Sequence, residues 1–129
     1  PSVYNGRMKN HERSPFIGAY LRFLQFASAV ELLPGMDSFD PNEKALFEEI
    51  MLAWSKNAPL TVRQAIGIER LGSPATLHKR VTRLRQMELL EAESMGTDRR
   101  TKFLVPTRKG LEYADAIGQA YSLSLQPSL

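Results

Sequence analysis

Apolar residues recur at helical spacing in five stretches of this chain and take on strand character in two short ones. Phe16, Tyr20, Phe23, Ala27 and Val30 step by four and three, with Ile17, Leu21 and Leu24 in a second row beside them. That pattern predicts a helix over about 15–33, stopped by Pro34-Gly35. Leu46, Phe47, Ile50, Met51 and Trp54 mark the buried side of a second helix over about 41–56, with Trp54 read as a core anchor rather than a ligand platform. Two further helices, about 62–71 and 74–87, flank Leu71-Gly72-Ser73, where glycine accepts a positive φ and serine caps the second of them. Then the periodicity changes: 89–94 and 102–105 have strand character, and the polar 95–100 between them suits a hairpin loop. A last helix opens after Thr107, with Tyr113, Ala114, Ile117 and Tyr121 on one side. The closing Ser-Leu-Ser-Leu-Gln-Pro-Ser-Leu lacks clear helical periodicity and is expected to fray.

The starts of these helices are written locally. Ser14-Pro15, Asp40-Pro41 and Ser73-Pro74 each place a capping oxygen before a proline. Proline suits the first helical position because its missing N–H would be unpaired there. Glu43 follows Asp40 by three residues and Gln64 follows Thr61 by three, completing two capping boxes. The fold class expected is mainly α with a small β-hairpin wing (α+β). The expected layout is a disordered arm over 1–14, one domain over 15–123 with its recognition region about 60–110, and a tail over 124–129. The double apolar row of the first helix is wider than one side of a small core requires. It is either sandwiched within the domain or packed against a second copy.

Charge sharpens this picture. Residues 1–62 hold six Lys/Arg against seven acids, residues 63–110 hold eleven against five, and residues 111–129 hold two acids and no base. A block carrying +6 between slightly acidic flanks is the footprint of a polyanion partner. There are no cysteines and only two histidines, His11 and His78, so disulfides, thiolate chemistry and a zinc centre are not expected. The segment 16–33 carries Arg22, Gln25 and Glu31 and is too polar and short to span a membrane. A soluble cytoplasmic protein is expected, with the start at Pro1 attributed to processing or truncation. Gly67-Ile68-Glu69-Arg70-Leu71-Gly72 has the glycine spacing of a phosphate loop, but Ser73-Pro74 stands where Lys-Ser/Thr is required. No catalytic constellation occurs, so the chain is not expected to be an enzyme and no cofactor or metal is expected.

Helix–turn–helix followed by a charged hairpin is a winged helix–turn–helix arrangement. The segments Thr76-Leu77-His78-Lys79-Arg80-Val81-Thr82-Arg83-Leu84, Leu89-Leu90, Asp98-Arg99-Arg100-Thr101-Lys102 and Pro106-Thr107-Arg108-Lys109-Gly110 occur in that order. In order and spacing they resemble the MarR family of bacterial transcriptional regulators, over roughly 60–116. The resemblance implies a winged helix–turn–helix with flanking dimerisation helices and sequence-specific binding of double-stranded DNA. It also implies a homodimer and an unidentified small, often aromatic effector. Several positions depart from the family pattern. Glu88 stands where the family has glycine, Pro106 where it has leucine, and the segment from Thr61 to Thr76 is about one residue longer. Nineteen residues follow Gly110, where the family has two C-terminal helices, so one of these is expected to be missing. The first helix would then carry more of the interface, and smaller winged-helix regulators such as the PadR-like proteins remain competing assignments.

The second helix of the motif must bury one face and offer the other. At 100° per residue Leu77, Val81 and Leu84 lie within about 60° of one another, while Ala75, Lys79, Thr82, Arg83 and Gln86 point the opposite way. Ala75, Thr76, Lys79 and Arg83 are the candidates for base edges, in a helix 74–87 set in the major groove. Ser73 with its free amides is a phosphate site, and His78, on the flank of the same face, is a candidate backbone contact, able to read a base or meet a phosphate in a pH-sensitive way, weighed against an ordinary polar surface residue. In the wing, over 94–102, Asp98 and Arg100 match the family's Asp-x-Arg motif. One of Arg99 and Arg100 is expected to enter the minor groove from the hairpin tip while the other pairs with Asp98, and Lys102 adds a backbone contact. Arg108 and Lys109 are read equally as a phosphate contact or a solvated pair. Phe16, Tyr20, Phe23, Ala27 and Val30 are the candidate dimer interface, and Tyr20, Phe23, Phe47 and Trp54 an effector lining that is more simply core. A rival reading keeps the fold but makes it a protein–protein interaction module without sequence-specific DNA binding.

Overall fold

Each helix begins at the cap its sequence writes. In the computed structural model, which describes residues 14–33, 35–36 and 39–126, helix α1 spans Pro15–Glu31. The Ser14 hydroxyl accepts from the Phe16 amide at 3.2 Å. Helix α2 spans Pro41–Ser55 beneath a reciprocal box: Asp40 accepts from the Glu43 amide at 2.8 Å, and Glu43 accepts from the Asp40 amide at 3.3 Å. Thr61 and Gln64 repeat that exchange at the start of α3, Val62–Ile66. Ser73 caps α4, Pro74–Gln86, and Thr107 caps α5, Arg108–Ser124. The expected arm over 1–14 lies outside the described residues except for Ser14, as does the end of the tail beyond 126.

Two elements differ in extent from the sequence reading. The helix expected over 62–71 stops at Gly67, whose N–H reaches the carbonyls of Arg63 and Gln64, and resumes as a single tight turn, Glu69–Leu71. Glycine is among the weakest helix formers, and the break lets Ile68 and Leu71 turn onto the core. The wing is longer than expected. Strands β1, Leu90–Met95, and β2, Asp98–Pro106, pair antiparallel from Leu90 opposite Pro106 to Met95 opposite Asp98, with an irregularity after Ser94. Gly96 at φ 65 lets the chain reverse through Gly96-Thr97 alone. A third, single-residue strand comes from Thr61, bridged to Phe103, where the Leu60 carbonyl accepts from the Leu104 amide at 2.8 Å.

The core lies between α2, α4 and the base of the wing. Leu46, Ile50, Leu77, Leu84, Leu89, Leu90 and Leu104 are fully buried there, each contributing about 1.5–3 kcal/mol. Phe39, Phe47 and Tyr113 meet edge to face with ring centroids 5.4–5.9 Å apart, joining α5 to α2. The expected α2 face is only partly buried. Met51 is half-buried against the core, and Trp54, one residue from the helix end, is half-buried at its rim and lies outside the core cluster.

Helix α1 packs on α5. Phe23 stacks on Tyr121 at 4.3 Å, and the Arg22 Nε donates to the Ser124 carbonyl at 2.9 Å. Those contacts carry the helix through Ser124, which is buried, where the sequence suggested fraying. The Lys44 ammonium bridges to Glu31 and fastens α1 to α2. Ala27 is the one buried residue of α1, so the helix is not sandwiched among the described residues. Phe16 and Tyr20 stand 78% and 60% exposed, with Leu21 and Leu24 also open.

Candidate nucleic-acid interface

Helix α4 divides as its sequence requires. Leu77, Val81 and Leu84 are buried, whereas Ala75, His78, Lys79, Thr82 and Gln86 are exposed. The turn before it is set by Gly72 at φ 148, a backbone conformation side-chain-bearing residues avoid. Arg80, which the sequence reading passed over, closes the turn by donating from Nη1 to the Leu71 carbonyl at 2.8 Å. Ser73 accepts from the Thr76 amide at 3.3 Å and donates to the Thr76 hydroxyl at 2.9 Å, so both polar groups at the helix start are held in place. Lys79 has no side-chain partner among the described residues, and its ammonium projects from an exposed position.

Arg83 is placed differently from Lys79, although one helical turn separates them. Its guanidinium turns back toward α2, with Nε 3.6 Å from Oε2 of Glu43, and its side chain is 40% exposed. The position on the helix is therefore as expected, while the side chain lies beside a buried acid that local spacing does not reveal.

The wing carries Arg99, Arg100 and Lys102 on β2, all exposed. The expected Asp98–arginine pair is replaced by main-chain capping. Asp98 accepts from the Thr101 hydroxyl at 2.7 Å and from the Arg100 amide at 2.9 Å, with a longer contact to the Thr101 amide. The Thr101 hydroxyl, and after it the Arg100 N–H, hold the exposed carboxyl below its usual range. The hairpin tip is Gly96-Thr97, so the two arginines come after it rather than form it. Lys102 donates to the Ser94 hydroxyl at 2.8 Å across the ladder. Arg63, on α3, lines a cleft with Arg100 and Lys102 and is a cation that the helix-by-helix reading missed.

A corner joins α4, the wing and α5. Glu88 takes φ 61 just past the end of α4, and the Leu89 amide donates to the Leu84 carbonyl at 3.0 Å. The helix thus ends in the left-handed manner usual for glycine, with glutamate bearing the strain. The Thr107 hydroxyl donates to the Glu88 carbonyl and accepts from the Gly110 amide at 3.0 Å. Lys109 donates from Nζ to the Met87 carbonyl at 2.9 Å, so its charge sits at the C-terminal end of α4, where the helix dipole favours it. Arg108 pairs instead with Glu112, one turn along α5. Lys109 is therefore engaged within the fold, while Arg108, 93% exposed at its side chain, stays in solvent as one of the two sequence readings had it.

The other groupings separate. Phe47 belongs to the core, Phe23 stacks on Tyr121, Tyr20 is exposed and Trp54 sits at the core rim, so these four do not gather around one cavity. Of the five interface candidates on α1, Phe16 and Tyr20 face outward, Phe23 and Val30 are half-buried and Ala27 is buried. No helix of the described residues is long and apolar enough to cross a membrane, and no cluster of His, Cys, Asp or Glu among them could hold a metal ion.

No protein-family model and no curated protein matches the sequence. Solved structures do match in shape. The transcriptional regulator Tm0710 from Thermotoga maritima aligns with a TM-score of 0.54 at 20% identity, covering 86% of this chain and 75% of its own. RV1404 from Mycobacterium tuberculosis aligns with a TM-score of 0.58 at 13% identity, covering 92% and 78%. The heme sensor protein PefR from Streptococcus agalactiae, determined in complex with heme, aligns with a TM-score of 0.53 at 16% identity, covering 90% and 76%. Helix–turn–helix, hairpin wing, Thr107-capped α5 and α1 packed on it make up one continuous arrangement, and the fold of this chain is the MarR-like winged helix.

Proposed function

We propose that this chain is a sequence-specific, double-stranded-DNA-binding transcriptional regulator of MarR-like type that acts as a homodimer. Helix α4 enters the major groove, and the wing lies on the minor groove or backbone. The observation that carries the reading is the exposed Lys79, without a side-chain partner among the described residues, on a helix whose opposite face is fully buried. Arg63, Arg99 and Arg100 stand exposed on the neighbouring α3 and β2. Exposed cations without acidic partners keep their charge available for phosphates. Ala75, Thr76 and Lys79 are the base-reading candidates at the start of the helix. Arg83 is the fourth candidate, with its Nε 3.6 Å from Oε2 of Glu43.

The dimer reading rests on α1. Phe16, Ile17, Tyr20, Leu21 and Leu24 form an exposed apolar surface that α5 leaves open, and a second copy covers such a surface most simply. Two copies would present their α4 helices about one DNA turn apart, roughly 34 Å, favouring a palindrome. The test is selection from a random duplex pool, with the winner then titrated against salt and the free protein measured by light scattering. Enrichment of a palindrome by a dimer supports the reading. No enrichment, with binding as weak as to any polyanion, would replace it with the protein-interaction module.

A further inference from the structure

Helix α4 carries Lys79, Arg80, Arg83 and Arg85, and charge alone would assign all four to a polyanion. Arg80 is turned inward. It is half-buried, and its Nη1 donates at 2.8 Å to the carbonyl of Leu71, the last residue of the single turn that precedes α4. A carbonyl at a helix end has no partner within the helix, and a charged guanidinium is a strong donor to it. Between that turn and α4 stand only Gly72 and Ser73, with Gly72 at φ 148. Such a link sets the direction of the next helix weakly, because glycine takes many backbone conformations. A β-carbon built on Gly72 would lie 3.3 Å from Nη1 of Arg80 and 3.6 Å from Cγ2 of Thr76. The guanidinium therefore spans the link and closes on the same glycine as a base-reading candidate.

We infer that Arg80 is a positioning residue: it fixes the direction in which α4 leaves the turn, and with it the base-reading candidates Ala75, Thr76 and Lys79, without touching DNA itself. The inference rests on the DNA-binding reading above. All three candidates stand in the first two turns of α4, the part nearest the contact. A base-edge hydrogen bond needs its heavy atoms within about 2.7–3.2 Å and weakens steeply outside that range. Attraction to a phosphate falls only as the reciprocal of distance and tolerates a displaced helix. Losing the Arg80 contact therefore costs recognition of sequence and spares binding to duplex in general. The far end of α4 has a hold of its own, because Lys109 donates to the Met87 carbonyl. Without Arg80 the helix stays pinned by its buried face and by that far end, so the displacement falls on the end that reads.

The experiment measures duplex binding by fluorescence anisotropy across a salt series for wild type and Arg80→Met. Two duplexes are used, the sequence selected from the pool and one random sequence. Methionine keeps an unbranched stem and removes the donors. The ratio of selected to random affinity should fall about tenfold, the loss of one base-reading contact, while affinity for the random duplex holds. The slope of log K against log salt should not change, because no phosphate contact is lost. A slope shallower by about 0.9 on both duplexes would make Arg80 a phosphate contact and overturn the inference. An unchanged ratio overturns it as well, since a merely structural Arg80 would lower the melting temperature and leave the ratio where it was. If Arg80→Met fails to fold, Arg80→Gln, polar but too short to reach the Leu71 carbonyl, takes the same readings with the same outcomes. A wild type with no preference for the selected sequence would refute the DNA reading itself, an outcome distinct from a preference that survives Arg80→Met.

Discussion

Gly110 sits where α5 leaves the base of the wing, and a methyl group there has nowhere to go. A β-carbon built on it would lie 2.3 Å from the Leu89 carbonyl oxygen, 3.3 Å from the Leu89 carbonyl carbon and 3.5 Å from the Pro106 Cβ. The first obstacle is backbone, and it also accepts from the Thr107 amide at 3.1 Å. Relieving the clash means moving the first turn of α5 outward by about 0.7 Å, enough to stretch that bond beyond useful length. Overpacking of this kind costs about 1–3 kcal/mol and the stretched bond about 1 more. Alanine's better helix propensity returns about 1 kcal/mol. Gly110→Ala should therefore destabilise by about 2 kcal/mol, read as a lower urea midpoint at unchanged slope and a melting temperature lower by roughly 5–10 °C. Protein concentration must be held fixed, because a dimer's midpoint depends on it. Gly118→Ala, in the same helix with nothing within 4 Å of the added carbon, should instead gain up to about 1 kcal/mol. Equal stability for Gly110→Ala and wild type would refute the close approach of α5 to the wing.

Glu88→Gly should raise stability by about 0.5–1 kcal/mol, because relief of the left-handed backbone exceeds glycine's entropy cost; an unchanged or lower denaturation midpoint would contradict that strain. The Asp98 carboxyl is held below its ordinary range by Thr101 and Arg100, so the stabilisation it lends the wing is complete above the unfolded value of about 3.9. It is lost as pH falls through the lower folded value; an NMR titration of the side-chain carbonyl at or above an ordinary aspartate value would disprove the cap. Lys79→Ala should cost roughly 1–3 kcal/mol mainly on the selected sequence, whereas Arg100→Ala should weaken all duplexes alike and lower the salt slope; equal losses on selected and random DNA for Lys79→Ala would remove it from the base readers.

Local features were the legible ones. Ser14, Asp40, Thr61, Ser73 and Thr107 each cap the helix they were expected to cap, since a cap needs only residues within three positions of it. The buried face of α4 came from spacing alone. Long-range choices were not legible. The approach of Arg83 to Glu43, forty residues earlier, and the support of the end of α5 by Phe23 and Arg22 of α1 are contacts that local spacing does not show. The hairpin was expected, but its loop was drawn too long because Met95-Gly96-Thr97-Asp98-Arg99-Arg100 is largely polar. Polarity marks a loop and a solvent-facing strand equally, and only the Met95–Asp98 pairing separates them.

The contact of Arg22 with Ser124 joins residues 102 positions apart, and it sets an order of assembly. Residues 41 to 106 contain the helix–turn–helix and its wing as one uninterrupted run, with pairings such as Leu90–Pro106 close along the chain. Helix α1 precedes that run, and the helix it leans on comes after it. On a ribosome the reading lobe can therefore gather its leucines while α1 still lacks its main support, and α1 docks only after α5 has emerged. Closing so long a loop is slow compared with forming the lobe, so refolding should show amide protection in α4 before α1. The exposed α1 surface would be assembled last, so the dimerisation proposed above would be a late event in the life of each chain.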